Sequence, residues 1–431
     1  MRASTPRAGA SATALAPLVH PAAGLTAEEL ERYSRHIVLP EIGVLGQRRL
    51  KNARILVVGA GGLGSPVLLY LAAAGVGTLG IVDDDIVELS NLQRQVIHGV
   101  ADVGRSKLAS ARDAVAGINP LVTVRLHDTR LDATNALELF AGYDLVVDGS
   151  DNFATRYLVS DVAAILGTPH VWGAVDRFDG QVSVFWEKHG PSYRDLYPEA
   201  PSVGSALSCS EGGVLGLLCA AIGGMMAADA VKLITGVGRT LLGRVLLFNA
   251  LDSSWREITI VRDPARNPIT ELVDYERLCG VAPPDDAGDA RAITVRELRD
   301  RLAARDAGRQ DFDLIDVREP TEYALGRIPG SRLIPQGRIL SGEALGELSR
   351  NRDIVLYCQS GTRSHDTLAE LQRRGYARTT HLQGGLLQWM KEMEATQPLH
   401  QAESPGRVDG STTNHGSSHQ RAERTARAVD R

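Results

Sequence analysis

The stretch ILVVGAGGLGSPVLLYLAAAG, residues 55–75, decides the fold of the first half of the chain. Its first four residues predict a buried strand, and Gly59, Gly61 and Gly64 form a turn before an apolar helix. Such glycines permit a tight turn and let backbone N–H groups approach a phosphate at the helix N-terminus. Asp83 ends the next predicted strand, 19 residues after Gly64, where a carboxylate can bind ribose hydroxyls. The pattern predicts a nucleotide site but does not separate NAD from ATP.

Two blocks of alternating strand and helix patterns surround this stretch. Short apolar runs alternate with helical patterns over residues 25–274, which predicts a parallel sheet wrapped by helices. We interpret residues 275–292, rich in Pro, Gly and Asp, as a linker to a second, smaller α/β domain at 293–394. Residues 1–24 and 395–431 are dominated by small or polar residues and predict disordered tails.

The composition excludes several classes of protein. Hydrophobic residues make up 43% of the 431 residues, which is enough to build globular cores. A net charge of −5 argues against nucleic acid as the main partner, and the absence of a run of 18 apolar residues argues against a membrane span. Four cysteines are too few for a disulfide framework, so we expect a reducing, cytoplasmic location.

Three further motifs follow the glycine turn, and each contributes a charged residue. Arg94 lies in SNLQRQ (90–95), Lys107 in GRSKL, and Asp151 in DGSDN (148–152). Two fixed cations and a carboxylate suit a triphosphate with magnesium, whereas a hydride-transfer site would not need them. Taken singly, Arg94 and Lys107 could form surface ion pairs, and Asp151 could cap the helix that begins near Asn152.

Together the motifs RYSRHIVL, GAGGLGSP, DDDIVELSNLQRQ, GRSKLASAR, INP and DGSDNFATRYL resemble the ubiquitin-activating-type (ThiF/MoeB-like) adenylyltransferases of molybdopterin and thiamine biosynthesis, over residues 28–274. The resemblance implies a Rossmann-like fold and ATP-dependent adenylation of a small ubiquitin-like sulfur carrier protein that ends in Gly-Gly. Arginine, lysine and magnesium would stabilise the charge that develops on the phosphates. The residues expected to bind ATP are Gly59, Gly61, Gly62, Gly64, Asp83, Asp85, Ser90, Asn91, Arg94, Lys107, Asp151 and Asn152.

The same resemblance implies two further roles in this domain. Asp151 would hold the magnesium ion. Arg35, in RYSRH, would reach into the nucleotide site of a neighbouring subunit, which implies a homodimer. Without the resemblance, the sequence predicts only that Arg35 lies on a helix surface.

The cysteines of the first domain differ in their surroundings. Cys209 lies in the small, polar loop ALSCSEGG and is a candidate nucleophile, although a plain loop thiol fits as well. The resemblance implies that Cys209 forms a thioester or a disulfide with the activated partner. Cys219 lies in an apolar run and is expected in the core, and Cys279 receives no role.

Many relatives of this kind bind zinc through two C-x-x-C pairs. Here the first pair is replaced by Ser192-Tyr193-Arg194-Asp195, and the segment ARNPIT after Pro264 contains no cysteine. We therefore expect no zinc. This departure resembles a zinc-free branch that is fused to a sulfurtransferase domain.

In the second domain a predicted strand ends at Cys358 and is followed by the loop QSGTRS and a helix. Loop N–H groups, the helix N-terminus and Arg363 would favour a thiolate or persulfide at Cys358, although a lone cysteine before a helix can be structural. With LIDVREPTEY (314–323), GRIPGSRLIP and LQGGLLQW, the segment resembles a rhodanese domain. Phosphatases of that fold place five residues between the cysteine and the arginine. Here only four residues separate Cys358 from Arg363, which is the rhodanese pattern and argues against a phosphatase. Asp316 and Arg318 are expected to hold the loop.

The expected activity is adenylation followed by sulfur transfer. A persulfide on Cys358, charged by a cysteine desulfurase or by thiosulfate, would attack the acyl-adenylate, with Cys209 assisting release of the carrier thiocarboxylate. The cofactors would be ATP and Mg²⁺, and the product would serve molybdopterin, cysteine, thiamine or natural-product synthesis. Two alternatives stay open. The chain could be an adenylyltransferase whose rhodanese domain only docks a partner, or an NAD-dependent oxidoreductase fused to a sulfur domain.

Overall fold

The computed structural model describes residues 15–200, 213–279 and 291–396. In the first domain eight strands form one sheet in the order β3-β2-β1-β4-β5-β6-β7-β8. The strands are β1 (Arg54–Val58), β2 (Thr78–Asp83), β3 (Thr123–Asp128), β4 (Leu145–Asp148), β5 (His170–Asp176), β6 (Asp179–Phe185), β7 (Arg244–Asn249) and β8 (Ser254–Thr259).

Strands β1 to β5 are parallel, and β6 to β8 extend the sheet in antiparallel fashion. Val58, the last residue of β1, pairs with Val82 of β2 and Asp148 of β4. The register therefore brings the loops that follow β1, β2 and β4 together at one edge, where ligands bind in open α/β sheets.

Helices cover both faces of this sheet, as the alternating sequence pattern predicts. The bounds are Ala27–Arg32, Ser34–Ile37, Gly43–Asn52, Gly64–Ala73, Lys107–Ile118, Ala136–Ala141, Phe153–Leu166, Tyr193–Leu196, Gly216–Thr235 and Tyr275–Leu278. One face buries a core that includes Leu68 and Met226, and the other buries Tyr157 and Trp172. Because both faces are covered, the central strands are largely apolar, and residues 55–58 are all buried.

The helix Gly216–Thr235 is long and apolar enough to cross a membrane by length and composition. More than half of it is buried inside the domain, where it packs against β5, β6 and the helix Gly64–Ala73. It also contains Asp229, whose carboxylate accepts a hydrogen bond from the Leu241 N–H at 2.8 Å. This burial matches a core helix of a globular domain.

The structure extends the first domain beyond the predicted boundaries in both directions, into the predicted N-terminal tail and into the predicted linker. Residues 15–24 pack on the first domain: Val19 is buried, and the Leu18 N–H donates to the Leu233 carbonyl at 3.0 Å. A few apolar side chains suffice for this packing, although the many Ala and Pro residues around them give the segment the composition of a disordered tail. The predicted linker likewise begins too early, because Tyr275 is buried and donates its hydroxyl to Asp161 at 2.7 Å.

The second domain is built on a five-stranded parallel sheet in the order β11-β10-β12-β13-β9. Its strands are β9 (Ala292–Ile293), β10 (Phe312–Asp316), β11 (Arg332–Leu333), β12 (Asp353–Tyr357) and β13 (Thr379–Leu382). Its helices are Val295–Asp306, Pro320–Leu325, Gln336–Leu340, Thr362–Arg373 and Gly385–Thr396. Separate cores cover the two faces, one including Leu356 and the other Val355.

Candidate active site

A cavity of about 350 Å³ opens at the edge where β1, β2 and β4 end. Its wall contains most of the residues that the sequence motifs predicted to bind nucleotide. These are Gly59, Gly61, Gly62, Asp83, Asp85, Arg94, Lys107, Asp151 and Asn152. The topology thus gathers residues from four separate motifs into one concave site, as expected for a small-molecule pocket.

The glycine turn is packed so tightly that a side chain has no room at Gly64. A Cβ atom added to Gly64 would lie 1.9 Å from the Gly59 carbonyl oxygen. Gly59 itself has φ +88°, a conformation that favours glycine. A Cβ on Gly149, in the loop after β4, would lie 3.1 Å from the Gly64 nitrogen. Gly64 is therefore needed to close the turn, and it does not itself line the cavity.

Asp83 holds the backbone of the glycine turn. One carboxylate oxygen accepts the Ala60 N–H at 2.8 Å, and the other accepts the Asp85 N–H at 2.9 Å. Burial raises the pKa of Asp83, and the nearby Lys107 ammonium and these two hydrogen bonds offset only part of that shift. Asp83 lines the cavity as predicted, and it also fixes the turn that would receive the phosphates.

The two predicted cations approach the cavity from different elements. Lys107 begins the helix Lys107–Ile118, is buried, and places Nζ 2.7 Å from the Asp85 carboxylate. Arg94 is half-buried and donates Nη1 to the Ser90 carbonyl at 3.3 Å. Two positive charges in a concave site suit a polyanionic ligand.

Besides Gly64, three predicted residues do not line the cavity. Ser90 and Asn91 lie in the 3₁₀ turn Leu89–Asn91 and hydrogen-bond to Glu88, at 3.1 Å in each case. Because the Arg94 N–H donates to the Asn91 carbonyl at 3.0 Å, this turn positions Arg94. Arg35 is exposed on the short helix Ser34–Ile37.

The loop after β4 presents Asp151 and Asn152 to the cavity. Asn152 caps the helix Phe153–Leu166, because its side chain accepts the Thr155 N–H at 2.9 Å. The alternative in which Asp151 caps this helix is therefore wrong. Asp151 is exposed in the cavity wall, and its carboxylate is of the kind that magnesium prefers.

Three buried polar residues of the wall were not predicted: Gln95, Ser150 and Arg156. Each is buried, and each carries a side-chain polar atom without a hydrogen-bond partner among the described residues. A signal for Arg156 existed, because it follows Asn152 by four positions on one helix face, where side chains lean toward the helix N-terminus.

The structure places the cysteines of the first domain in different surroundings. Cys209 lies outside the described residues. Cys219 is buried, as predicted, but it also lines the cavity, where its Sγ would lie 2.7 Å from a Cβ on Gly62. Cys279 is buried in the core with Tyr157, and burial raises the pKa of its thiol.

Ion pairs connect the segment Ser192–Asp195 with the segment that follows Pro264. The Arg266 guanidinium donates Nε to Asp195 at 3.0 Å and Nη2 to Glu187 at 2.7 Å. The Asp263 N–H donates to Asp195 as well, at 3.0 Å. The two segments are thus cross-linked by charge, through carboxylates and a guanidinium and without thiolates.

In the second domain Cys358 follows β12 and is fully buried at the start of a glycine-containing loop. Its sulfur accepts the Gly361 N–H at 3.1 Å, which is the kind of contact predicted for a stabilised sulfur anion. Gly361 has φ +104° and immediately precedes the helix Thr362–Arg373. The loop is closed from the other side, where the Leu386 N–H donates to the Cys358 carbonyl at 2.8 Å.

Arginine side chains brace this loop. Arg318 forms a buried ion pair with Asp316 at 2.7 Å and donates Nη1 to the Gln359 side chain at 2.9 Å. The expectation that Asp316 and Arg318 hold the loop agrees with these contacts. Arg363 makes two hydrogen bonds to Glu322, at 2.7 and 2.9 Å. Glu322, in LIDVREPTEY, therefore sets the direction of the Arg363 charge.

Comparison with known proteins matches both domains. The ThiF family model matches residues 33–269, and the rhodanese-like domain model matches residues 294–392. A probable adenylyltransferase/sulfurtransferase, MoeZ of Mycobacterium tuberculosis, is 58% identical over 89% of this chain and 98% of its own length. A sulfur carrier protein adenylyltransferase of Thermus thermophilus is 51% identical over 59% of this chain and 98% of its own length.

The fold of the first domain also occurs in a solved structure. Crystalline MccB of E. coli, bound to MccA-N7isoASN, has a TM-score of 0.51 and 21% identity, over 56% of this chain and 75% of that chain. At this identity the match supports the fold alone.

Proposed function

The chain belongs to the ThiF family, carries a rhodanese-like domain after it and is an adenylyltransferase and sulfurtransferase, and from that premise we propose that it converts a small ubiquitin-like sulfur carrier into its thiocarboxylate. The observation that carries the proposal is the cavity that gathers the glycine turn, Arg94, Lys107 and Asp151, on a chain that also holds a braced Cys358. An NAD-dependent oxidoreductase would have no use for this pair of cations, and the relatives are adenylyltransferases.

The first half-reaction takes place in the cavity of the first domain. The terminal carboxylate of the carrier attacks the α-phosphorus of ATP, an acyl–O–P bond forms, and pyrophosphate leaves. Lys107 and Arg94 stabilise the negative charge that develops on the phosphates. Asp151 would hold a magnesium ion, which supplies further neutralisation of the phosphate charge when bound.

The second half-reaction uses the sulfur of the second domain. A persulfide on Cys358, formed from a cysteine desulfurase or thiosulfate, attacks the acyl carbon, a carbon–sulfur bond forms, and AMP leaves. The resulting acyl disulfide is cleaved when the Cys209 thiolate attacks Cys358, which releases the thiocarboxylate and leaves a Cys209–Cys358 disulfide for a cellular thiol to reduce. The Gly361 N–H stabilises the sulfur anion before attack.

The proposal extends to a homodimer in the cytoplasm. Arg35 is exposed and lies outside the cavity of its own chain, which fits a residue that serves the site of a second copy. Mixing inactive Arg35→Ala and Lys107→Ala subunits should then restore part of the activity, because one site of a mixed dimer is intact. A reducing compartment suits a thiol carrier. The product would supply molybdopterin, cysteine, thiamine or natural-product synthesis.

Mass analysis of Gly-Gly-ending carriers tests the proposal. With ATP, magnesium and a sulfur donor, the carrier should gain the mass of one oxygen-to-sulfur exchange. Cys358→Ala should stop the exchange and leave ATP–pyrophosphate exchange intact, and Cys279→Ala is the matched cysteine control. Thiocarboxylate formation at the wild-type rate by Cys358→Ala would instead support the docking alternative, with free sulfide as the source.

A further inference from the structure

The backbone N–H and the backbone carbonyl of Ser150 are each held by a buried charged side chain, one acidic and one basic. The Ser150 N–H donates to Asp148 Oδ1 at 2.9 Å, and Arg156 Nη2 donates to the Ser150 carbonyl at 3.3 Å. Asp148 is completely buried and Arg156 is 7% exposed. Charged groups of this kind are taken out of water only where they have a structural or chemical task.

The segment that they hold has no regular structure of its own. Between the end of β4 at Asp148 and the helix that begins at Phe153, four residues lie outside any strand or helix. Gly149 packs against the glycine turn, since a Cβ there would lie 3.1 Å from the Val58 carbonyl oxygen. The next residues, Asp151 and Asn152, face the cavity. Their placement therefore depends on what fixes Ser150.

The guanidinium of Arg156 is unusual in its surroundings. Its carbon lies 5.1 Å from the centre of the Phe153 ring, which stacks the planar group in place. In the described parts of the chain Arg156 has no carboxylate partner, and its buried Nε has no hydrogen-bond acceptor. Arg156 also lines the cavity, beside the loop whose Ser150 carbonyl it holds.

We infer that Arg156 is a positioning residue for nucleotide activation: it fixes the loop Gly149–Asn152 so that Asp151 and Asn152 meet the magnesium nucleotide. The inference rests on the proposed function of this cavity. Asp148 is its counterpart on the other side of Ser150, and the two together hold the loop before any ligand arrives. A guanidinium can donate one nitrogen to the Ser150 carbonyl while its carbon lies over the Phe153 ring, and a lysine ammonium does not offer this pair of contacts.

The test compares Arg156→Lys and Arg156→Gln in carrier-dependent ATP–pyrophosphate exchange. We expect KM for the magnesium nucleotide and the magnesium concentration for half-maximal rate to rise by about ten- to a hundredfold in the glutamine variant, the effect of losing one charge-assisted hydrogen bond. The lysine variant keeps the charge without the fork and should lie between glutamine and wild type. The carrier KM should change much less.

Arg194→Lys is the matched control. Arg194 is also a partly buried guanidinium that lies 5.0 Å from a ring centre, that of Tyr157, but it pairs with Asp161 and does not line the cavity. It should lower the melting temperature without moving the nucleotide KM. If Arg156→Gln does not fold, Arg156→Lys with the shift in melting temperature on adding a non-hydrolysable ATP analogue decides the question.

Two results separate this inference from the proposed function. Wild-type protein without carrier-dependent exchange would overturn the proposed function itself. A wild type that exchanges, beside Arg156 variants with unchanged nucleotide KM and unchanged magnesium dependence, would overturn only the positioning role.

Discussion

The ammonium nitrogen of Lys107 lies 2.7 Å from an Asp85 carboxylate oxygen, and the lysine is buried while the aspartate is exposed. The pair therefore holds a cation in the cavity wall with its partner turned to solvent. We predict that Lys107→Gln lowers ATP–pyrophosphate exchange by about ten- to a hundredfold, because a charged hydrogen bond to phosphate is lost.

Lys51→Gln is the control for this prediction. Lys51 also pairs with a carboxylate, Glu29 at 2.8 Å, but outside the cavity. Its exchange rate should equal that of the wild type. Equal rates for both glutamine variants would show that Lys107 is merely a partner of Asp85.

The glycine turn offers a comparison of two similar substitutions. Gly64→Ala would place a methyl group 1.9 Å from the Gly59 carbonyl oxygen, and backbone cannot move aside easily. Gly61→Ala would place it 3.6 Å from the end of the Gln95 side chain, an ordinary contact. We predict that Gly64→Ala abolishes nucleotide binding in calorimetry and that Gly61→Ala retains it within about tenfold. Binding by both variants would mean that the turn opens far more easily than its packing suggests.

Much of this site could be predicted because its parts are local. The glycine turn, Asp83, Lys107 and Asp151 each stand at the end of a strand or the start of a helix, and parallel strands bring such ends to one edge. The repeated strand–helix pattern predicts the parallel arrangement of β1 to β5, but it does not predict their order β3-β2-β1-β4-β5.

The unpredicted features depend on contacts between distant segments. The role of Arg156 could not be predicted, because it depends on the contact with the Ser150 carbonyl and on the cavity, which exist only in the folded domain. Val19 and Tyr275 pack on the domain although they lie in segments whose composition suggests tails and linkers. The positions of these residues are set by packing against distant parts of the chain, and local composition carries little information about such packing.

We predict that His98 makes the folding stability of the first domain depend on pH. Its ring contacts the Ala60 carbonyl at 3.0 Å and the Ser110 hydroxyl at 2.8 Å. Burial lowers the pKa of His98, and the hydrogen bond to Ala60 offsets only part of that shift. As the pH falls below about 6.5, the unfolded chain takes up this proton before the folded one, so the stability contributed by neutral His98 is lost in acid.

Melting temperatures between pH 5 and pH 8 test this sign. The wild type should lose stability below about pH 6.5, and His98→Asn should lose less over the same interval. Exposed His20 provides the control, because His20→Asn should follow the wild-type curve. A His98→Asn curve parallel to that of the wild type would rule out His98 as the source.

Ion pairs should stabilise the region around Asp195 and Arg266. Burial alone would raise the pKa of Asp195, but the Ser192 and Asp263 N–H groups and the Arg266 guanidinium outweigh it and hold that pKa below its usual range. This stability is therefore present above about pH 4 and is lost as the pH falls further. We predict that Arg266→Gln costs about 2 kcal/mol and lowers the melting temperature by roughly 4–8 °C.

Two measurements accompany this last prediction. Arg239→Gln removes an exposed partner 3.9 Å from Glu257 and should change stability by less than about 0.5 kcal/mol. Chelator should leave the wild-type melting temperature unchanged if the ion pair between Arg266 and Asp195, rather than a metal, joins these segments. One tightly bound zinc ion per chain, with a chelator-sensitive melting temperature, would show that the ion pairs are not a substitute for metal.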